Sequence, residues 1–408
     1  MADSATRRAL RWLFGAEGTV AAEPGTQVVM AATAIAIAGI YAMSPILSAL
    51  TDPLAVTDAR VGAVITAYTA PSVVLVPAVG LAADRVGRRD LLAGGLVLIG
   101  AGGVAVALAS DFSTVLFLRA VQGVGFAAVN PLGVTVLGDL FEGSRETTAQ
   151  GLRAAGINAA ALVVPPVAGA LVLVAWQSPF LLYAAAFPVA AWAWFTLPAD
   201  PPTSEVRTLR GYLGELLALL RRPALAAIQL SFVARFALAV GYYAYISVFL
   251  TRAFGTSAVG SGLVVAGVSL AALAGSTQVG RLVAARDGFG VLVSALLAVG
   301  GGLAIMGAAP SPLAVGIGGI LLGAGVGVSA PVQKSLVNRL APARLRAGAV
   351  SSALLFQSIG QAIGPAVLGV LVAWYGVVAA FVVFGVAGGA ASALAVAVAA
   401  RAHRAGDR

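Results

Sequence analysis

Long apolar runs, each stopped by a charge or a turn residue, make up the pattern of this chain. A helix needs roughly 20 consecutive apolar residues to cross a bilayer. Twelve runs reach that length, at about 28–50, 60–82, 91–110, 112–136, 152–174, 179–197, 224–250, 257–279, 289–309, 312–333, 348–373 and 377–400. They are about twice as long as a barrel strand and lack its period-two alternation, so they predict helices. The expected fold class is an all-α polytopic membrane protein with twelve transmembrane helices.

Two polar interruptions organise the runs. The first, Gly80 to Leu92, reads GLAADRVGRRDLL and forms a short charged turn between the second and third runs. The second, 198–223, opens on the breaker PADPP and then places Leu209, Tyr212, Leu213, Leu216, Leu217 and Leu220 at helical spacing among arginines. That periodicity predicts an amphipathic helix on the membrane surface, with a plain solvated linker as the alternative. The chain thus divides into an N-terminal segment (1–26), a six-helix bundle (27–197), a linker (198–223), a second six-helix bundle (224–400) and a tail (401–408). In the first segment Arg7, Arg8 and Arg11 flank Leu10, Trp12, Leu13 and Phe14. The apolar stretch is too short for a signal peptide. An interfacial segment with its arginines at lipid headgroups and a disordered tail both remain open.

Composition then narrows the function classes. With 60% hydrophobic residues, 10% charged residues and 50 glycines in 408, the chain is too apolar for a soluble protein. It has no cysteine, and its single histidine, His403, lies near the end, so neither a metal site nor a cofactor is expected. The net charge of +9 suggests a nucleic-acid partner only until the charges are placed. With the N-terminus cytoplasmic, 21 of the 25 lysines and arginines fall in tails and inner loops. Arg60 and Arg252 fall outside, and Arg119 and Arg235 lie within helices. Lysine and arginine favour the cytoplasmic side, so both termini are expected there, in the cell membrane, with no nucleic-acid partner.

The two halves repeat each other. Subtracting 200 pairs Thr251 with Thr51, Gly262 with Gly62, Gly280 with Gly80, Gly323 with Gly123, Gly325 with Gly125, Pro331 with Pro131, Pro365 with Pro165 and Gly369 with Gly169. One gapless offset shared by three residue types predicts two pseudo-symmetric bundles.

Twelve helices in two parallel repeats, with a long middle loop, resemble the major facilitator superfamily over essentially the whole chain. Gly80, Ala83, Asp84, Arg85, Gly87, Arg88 and Arg89 match the G-x-L-A-D-R-x-G-R-R pattern that this family carries between its second and third helices, with Ala82 replacing the usual leucine. The resemblance implies that Asp84 latches the cytoplasmic gate against the second half, while the arginines also serve topology. The second copy keeps Gly280 but has Ala284 where the aspartate would fall, so the latch is expected to be asymmetric.

Arg119, Gln122 and Gly123 match the family's R-x-x-Q-G signature, and Asn130 shares their helix face. A charge within lipid normally faces a cavity, although Arg119 is close enough to the helix end to snorkel. Pro165, Pro166 and Gly169 resemble a degraded form of the G-P-x-x-G-G motif of drug-exporting members, and Gly360, Gly364, Pro365 and Gly369 come closer to it. Those positions suit either helix bending or ordinary tight packing. Arg235 lies near the bilayer midplane, where snorkelling is hardest, and is expected to line the central cavity or to pair with backbone carbonyls. Tyr41, Asn158, Tyr242, Gln357 and Gln361 complete the expected cavity set.

None of the sixteen acidic residues falls in the body of a predicted span. Two arginines and no carboxylate favour anionic or neutral polar substrates. Proton coupling then passes through Asp84 or Asp111, or is absent. The resemblance implies a monomeric secondary transporter, an exporter or antiporter of small drug-like or metabolite compounds, working by alternating access. An importer or uniporter of an organic anion or sugar, and a non-transporting receptor on the same scaffold, are the alternatives. With no embedded nucleophile, base or metal cluster, an enzyme is not expected.

Overall fold

The computed structural model describes residues 16–199, 209–342 and 345–406. The predicted N-terminal interfacial segment around Arg7, Arg8 and Arg11 and the Pro201-Pro202 breaker lie outside the described residues, as do the side chains of Leu209, Tyr212 and Leu213.

The first half comprises α1 (Pro24–Tyr41), α2 (Ala63–Val86), α3 (Arg88–Val106), α4 (Phe112–Leu140), α5 (Gly143–Leu171) and α6 (Ala186–Thr196), the last entered through a 3-10 stretch, Ser178–Ala185. A short helix, α7 (Leu209–Leu220), leads to α8 (Pro223–Phe254), α9 (Ala258–Thr277), α10 (Gly288–Gly307) and α11 (Pro312–Leu340). The final helical stretch, Arg346–Gly406, breaks at Gly376, whose φ of 76° suits glycine, giving α12 (346–375) and α13 (377–406). Among the described residues eleven segments are long and apolar enough to cross a membrane, the last being Gly348–Arg401. Its 54 residues would make a rod of about 80 Å, far beyond a hydrocarbon core of about 30 Å, so the break makes it two crossings. Among the described residues the protein is all-helical, a multi-pass membrane protein with the expected twelve crossings.

Helix boundaries moved outward from the apolar runs at the charged end. The sequence placed the fifth span at 152–174, whereas α5 begins at Gly143, and α11 runs on to Leu340 rather than 333. Polar side chains at those ends continue the helix while facing water, a choice that hydropathy does not register.

Local chemistry explains the turns. Asp111 caps α4 by accepting from the Thr114 amide at 2.9 Å, and its repeat partner Ser311 caps α11 by accepting from Ala314 at 3.4 Å. Gly87 closes α2 with φ 99°, which favours glycine, whereas its partner Asp287 has φ −65° and caps α10 through Gly290 at 3.0 Å. The two copies of the charged turn therefore end by different means.

The end of the molecule carrying Gly87 is the basic end, and the one carrying the 51–57 loop is the far end. The contacts joining the halves gather toward the far end. Tyr245 donates to Ala59 O at 2.7 Å, Ser48 N donates to Ser247 Oγ at 3.3 Å, and Arg252 grips Asp58 through two bonds of 2.8 and 2.9 Å. Glycines bring the backbones together there. A Cβ on Gly169 would lie 2.5 Å from Ala258 O, one on Gly262 2.6 Å from Pro165 O, and one on Gly369 2.7 Å from Ala59 O. Thr69 donates to Gln361 O at 3.1 Å deeper in the bundle. Toward the basic end the facing surfaces are open. Gly80 and Gly280 are exposed, and a Cβ on either meets no atom within 4 Å. Among the described residues no helix packs closely on Gly80 in this conformation, because the halves diverge there.

The linker helix α7 packs onto the second half instead of lying only on a surface. Leu219 is buried with Leu225, Ile228 and Leu336, while Leu217 is exposed.

Candidate functional site

Arg119 does not reach the space between the halves. It is fully buried within the first, where Nη2 donates to Gly39 O at 2.5 Å, Nε to Val64 O at 3.3 Å and Nη1 to Gln122 Oε1 at 2.8 Å and to Tyr183 Oη at 3.4 Å. Its guanidinium lies 4.2 Å from the Tyr68 ring centroid, and Gln122 donates onward to Ile99 O at 2.9 Å. The arginine and glutamine of this motif thus tie α4 to α1, α2, α3 and the entry to α6. Carbonyl dipoles and a ring face compensate the charge without any carboxylate. The cavity role expected for Arg119 and Gln122 gives way to this knot, and snorkelling is excluded by the same bonds.

The second half has its own polar knot, at a different place in the repeat. Arg235 Nε donates to Gln333 Oε1 at 2.7 Å, Gln333 donates to Ser231 Oγ at 2.7 Å, and Ser231 donates to Ile228 O at 2.6 Å. Phe236 lies under the guanidinium, with its ring centroid 4.1 Å away. These partners fix Nε and leave the two terminal nitrogens of Arg235 without a hydrogen bond to a described residue.

Above Arg235, toward the far end, Tyr41 of α1 meets Tyr243 of α8 edge to face at 5.0 Å, and this pair bridges the halves. Tyr242 takes no such part. It is fully buried, its hydroxyl has no hydrogen bond, and its ring packs against Tyr243 at 5.1 Å. Tyr243, outside the expected set, is the tyrosine of α8 that meets Tyr41. Gln361 is also enclosed, whereas Gln357 and Asn130 are half-buried without a hydrogen bond to a described residue. Asn158 is exposed on the same face of α5 as Pro165, two turns closer to the basic end.

Two further cations enter the space. Arg153 of α5 is half-buried, with its Cδ beside Gly133, and its Nε donates to Gln150 Oε1 at 3.2 Å. Its Nη1 is buried with no hydrogen-bond partner. Lys334 of α11 lies within electrostatic range of both Arg153 and Arg235. Counting charge by side assigns both to inner loops, although Arg153 stands at the start of the 152–174 run and Lys334 just past the end of the 312–333 run. The usable signal was the composition of the cations themselves, since Lys334 is the sole lysine in the chain.

The charged turn divides its labour. Arg88 pairs with Asp139 at the end of α4, and Arg89 stacks on Trp194 of α6 at 4.4 Å, so both hold the first half together. Arg85 is exposed, and Asp84 is half-buried without a hydrogen bond or ion pair to a described residue. The proline and glycine motifs serve packing in different places. Pro165 and Gly169 face α9 across the halves, whereas Gly360 and Gly364 press α12 onto α8 at Val233 and Ala237 within the second half. Pro166 also lies at the α9 contact, its Cα near Gly262, and Pro365 is buried.

The chain resembles known proteins in both sequence and fold. It is 33% identical over 138 residues to the bacillibactin exporter of Bacillus subtilis, covering 32% of this chain and 34% of that one. It is 32% identical over 107 residues to the multidrug transporter MdtP of the same organism, covering 26% and 20%. Over 143 residues it is 25% identical to the quinolone resistance protein NorA of Staphylococcus aureus, covering 35% and 37%. The matches thus span about a third or less of these relatives' lengths. In fold it is similar to the nucleoside transporter NupG, with a TM-score of 0.75 at 14% identity, over 92% of this chain and all of that one. A transporter of the POT family in complex with 5-aminolevulinic acid also has a TM-score of 0.75, at 15% identity, over 92% and 95%. The family model described as Major Facilitator Superfamily matches residues 29–288 and again 230–407, and with two bundles closed at one end the chain belongs to that superfamily of transporters.

Proposed function

We propose that this protein exports a small organic solute across the cell membrane by alternating access, with its basic end in the cytoplasm, and that it prefers anionic or neutral polar substrates. The observation that carries the preference is Arg235, near mid-membrane with its terminal nitrogens free for a ligand and no ion pair to offset its charge. Only an anion or a hydrogen-bond acceptor gains from meeting such a group. Tyr41, Tyr243, Asn130, Asn158 and Gln357 supply the surrounding ring faces and hydrogen-bonding groups. Arg119 adds fixed positive potential from within the first half. The direction of transport rests on the likeness to an exporter, a multidrug transporter and a resistance protein, each matched over part of its length.

The open basic end and the contacts at the far end correspond to an inward-open state. Interconversion requires only that the two states differ by a few kcal/mol. Asp84, free here, is the group placed to latch the basic end once it closes, and antiport with protons would load there. The test is flux into proteoliposomes of matched aromatic anions, neutral amides and amines. Anion flux is expected to fall at least tenfold in Arg235→Ala. Flux of amines alone, indifferent to that substitution, refutes the preference, and binding without flux of any compound supports a receptor instead.

A further inference from the structure

The cations in the cleft are more numerous than the preference above requires, and their arrangement is specific. Arg153 comes from the first half, Lys334 and Arg235 from the second, and Lys334 lies within electrostatic range of each of the two arginines. By helix rise Arg153 stands about 15 Å from the basic end of α5, Lys334 about 9 Å from that of α11 and Arg235 about 18 Å from that of α8. They therefore form a stair leading in from the open end.

None of the three is neutralised. Ion pairs between described residues, among them Arg88–Asp139, Arg89–Asp90, Arg145–Glu23 and Arg252–Asp58, involve none of these three. Among the described residues the one buried guanidinium nitrogen without a partner, Arg153 Nη1, belongs to this cluster. Burying a charged donor without a partner is costly, and gathering like charges beside it adds to the cost. Arg153 is nevertheless held in position: Gln150 bonds its Nε and is itself anchored to Val134 O at 2.8 Å. A residue braced in an unfavourable setting implies a ligand that relieves it.

Resting on the anion preference above, we propose that Arg153, Lys334 and Arg235 form a single anion site spanning the two halves, taking an organic compound whose one headgroup carries two negative charges, such as a phosphonate or phosphate monoester. A doubly charged tetrahedral group has enough acceptor oxygens to meet a guanidinium from each half and the ammonium together. Without it, like charges oppose closure of the basic end. With it, the same residues draw α5 and α11 together, so that substrate charge drives closure.

The sole lysine makes the site directly readable. In purified full-length protein, Lys334 is acylated with an amine-reactive acetyl ester and followed by peptide mass spectrometry in the presence of phenylphosphonate, benzoate or benzamide. Phenylphosphonate is expected to protect Lys334 at concentrations where benzamide does not, with benzoate weaker. Arg153→Gln is expected to raise the protecting concentration at least tenfold, the loss of about one charge-assisted contact. Should Arg153→Gln fail to fold, Lys334→Gln against Lys334→Arg in phenylphosphonate flux replaces it, and only the arginine variant is expected to retain flux. Equal protection by benzamide, or none by any anion, overturns the site. If protection is absent while Arg235→Ala still abolishes anion flux, the preference stands and this three-cation site falls. If both are absent, both fall.

Discussion

Removing the far-end latch should tip this protein toward the opposite state. The Tyr245 hydroxyl donates to Ala59 O at 2.7 Å across the halves, and a bond of this kind has a net value of about 0.5–1.5 kcal/mol. The Arg252–Asp58 pair is bidentate, but its side chains are 55% and 29% exposed, so it contributes only about 0.2–1 kcal/mol. Together they bias the halves by about 1–2 kcal/mol, equivalent to a population factor of about 5–30. Neither bond survives separation of α8 from the 51–62 segment, so Tyr245→Phe combined with Asp58→Asn removes stabilisation from this state alone. Because the chain has no cysteine, spin labels can be attached at Pro53→Cys and Ala253→Cys, both exposed and equivalent in the repeat. Double electron–electron resonance should then show a longer far-end distance gaining population by that factor. An unchanged distribution in the double variant would refute the reasoning, since the latch would then be decoration on an interface held by something else.

Other perturbations separate the remaining parts. Gly262→Ala puts a Cβ 2.6 Å from the Pro165 carbonyl oxygen, backbone against backbone, so it should wedge α5 from α9 and open the far end in the same distance measurement. Arg119→Met leaves Gly39 O, Val64 O and Gln122 Oε1 without their buried donor and should lower detergent-melt stability by about 1–3 kcal/mol or more, whereas a pure cavity residue would alter flux and leave the melt unchanged. Bonds from the Thr114 hydroxyl and amide hold the Asp111 carboxyl below the usual carboxylate range. A lowered value means its capping contribution is present above the unfolded-state pKa and is lost only as pH falls through the folded one. Asp111→Asn should therefore leave pH-driven transport unchanged across about pH 5 to 8, and a lost pH dependence would contradict this. Asp84→Asn should leave the melt of the inward-open protein unchanged while lowering flux, and full flux would remove Asp84 as a latch.

The sequence made the architecture legible because membrane crossing imposes a length and a hydropathy that few other structures share. The 200-residue offset carried down to capping residues, Asp111 and Ser311, and to the glycines at the far-end contacts. It did not reveal which side chains face the cleft. Arg119 and Arg235 look alike as isolated charges in apolar helices, yet one is enclosed by three carbonyl or amide oxygens and a ring, and the other is held at one nitrogen. That difference arises from residues 55 to 98 positions away in sequence, at Val64 and Gln333. Arg153 and Lys334 were hidden for the opposite reason. Counting charge by side treats every cation near a run's end as topology, while the helices extend past those ends and carry both residues.

The central claim, that transport requires the halves to part at the far end, is tested most directly by fastening them there. Ser48 Oγ and Thr251 Oγ1 lie 3.3 Å apart across the halves, so Ser48→Cys and Thr251→Cys can be oxidised to a disulfide in an otherwise cysteine-free chain. Flux in proteoliposomes should cease on oxidation and return on reduction, with either single variant unaffected. Full flux through protein shown by mass spectrometry to carry the cross-link would contradict the account.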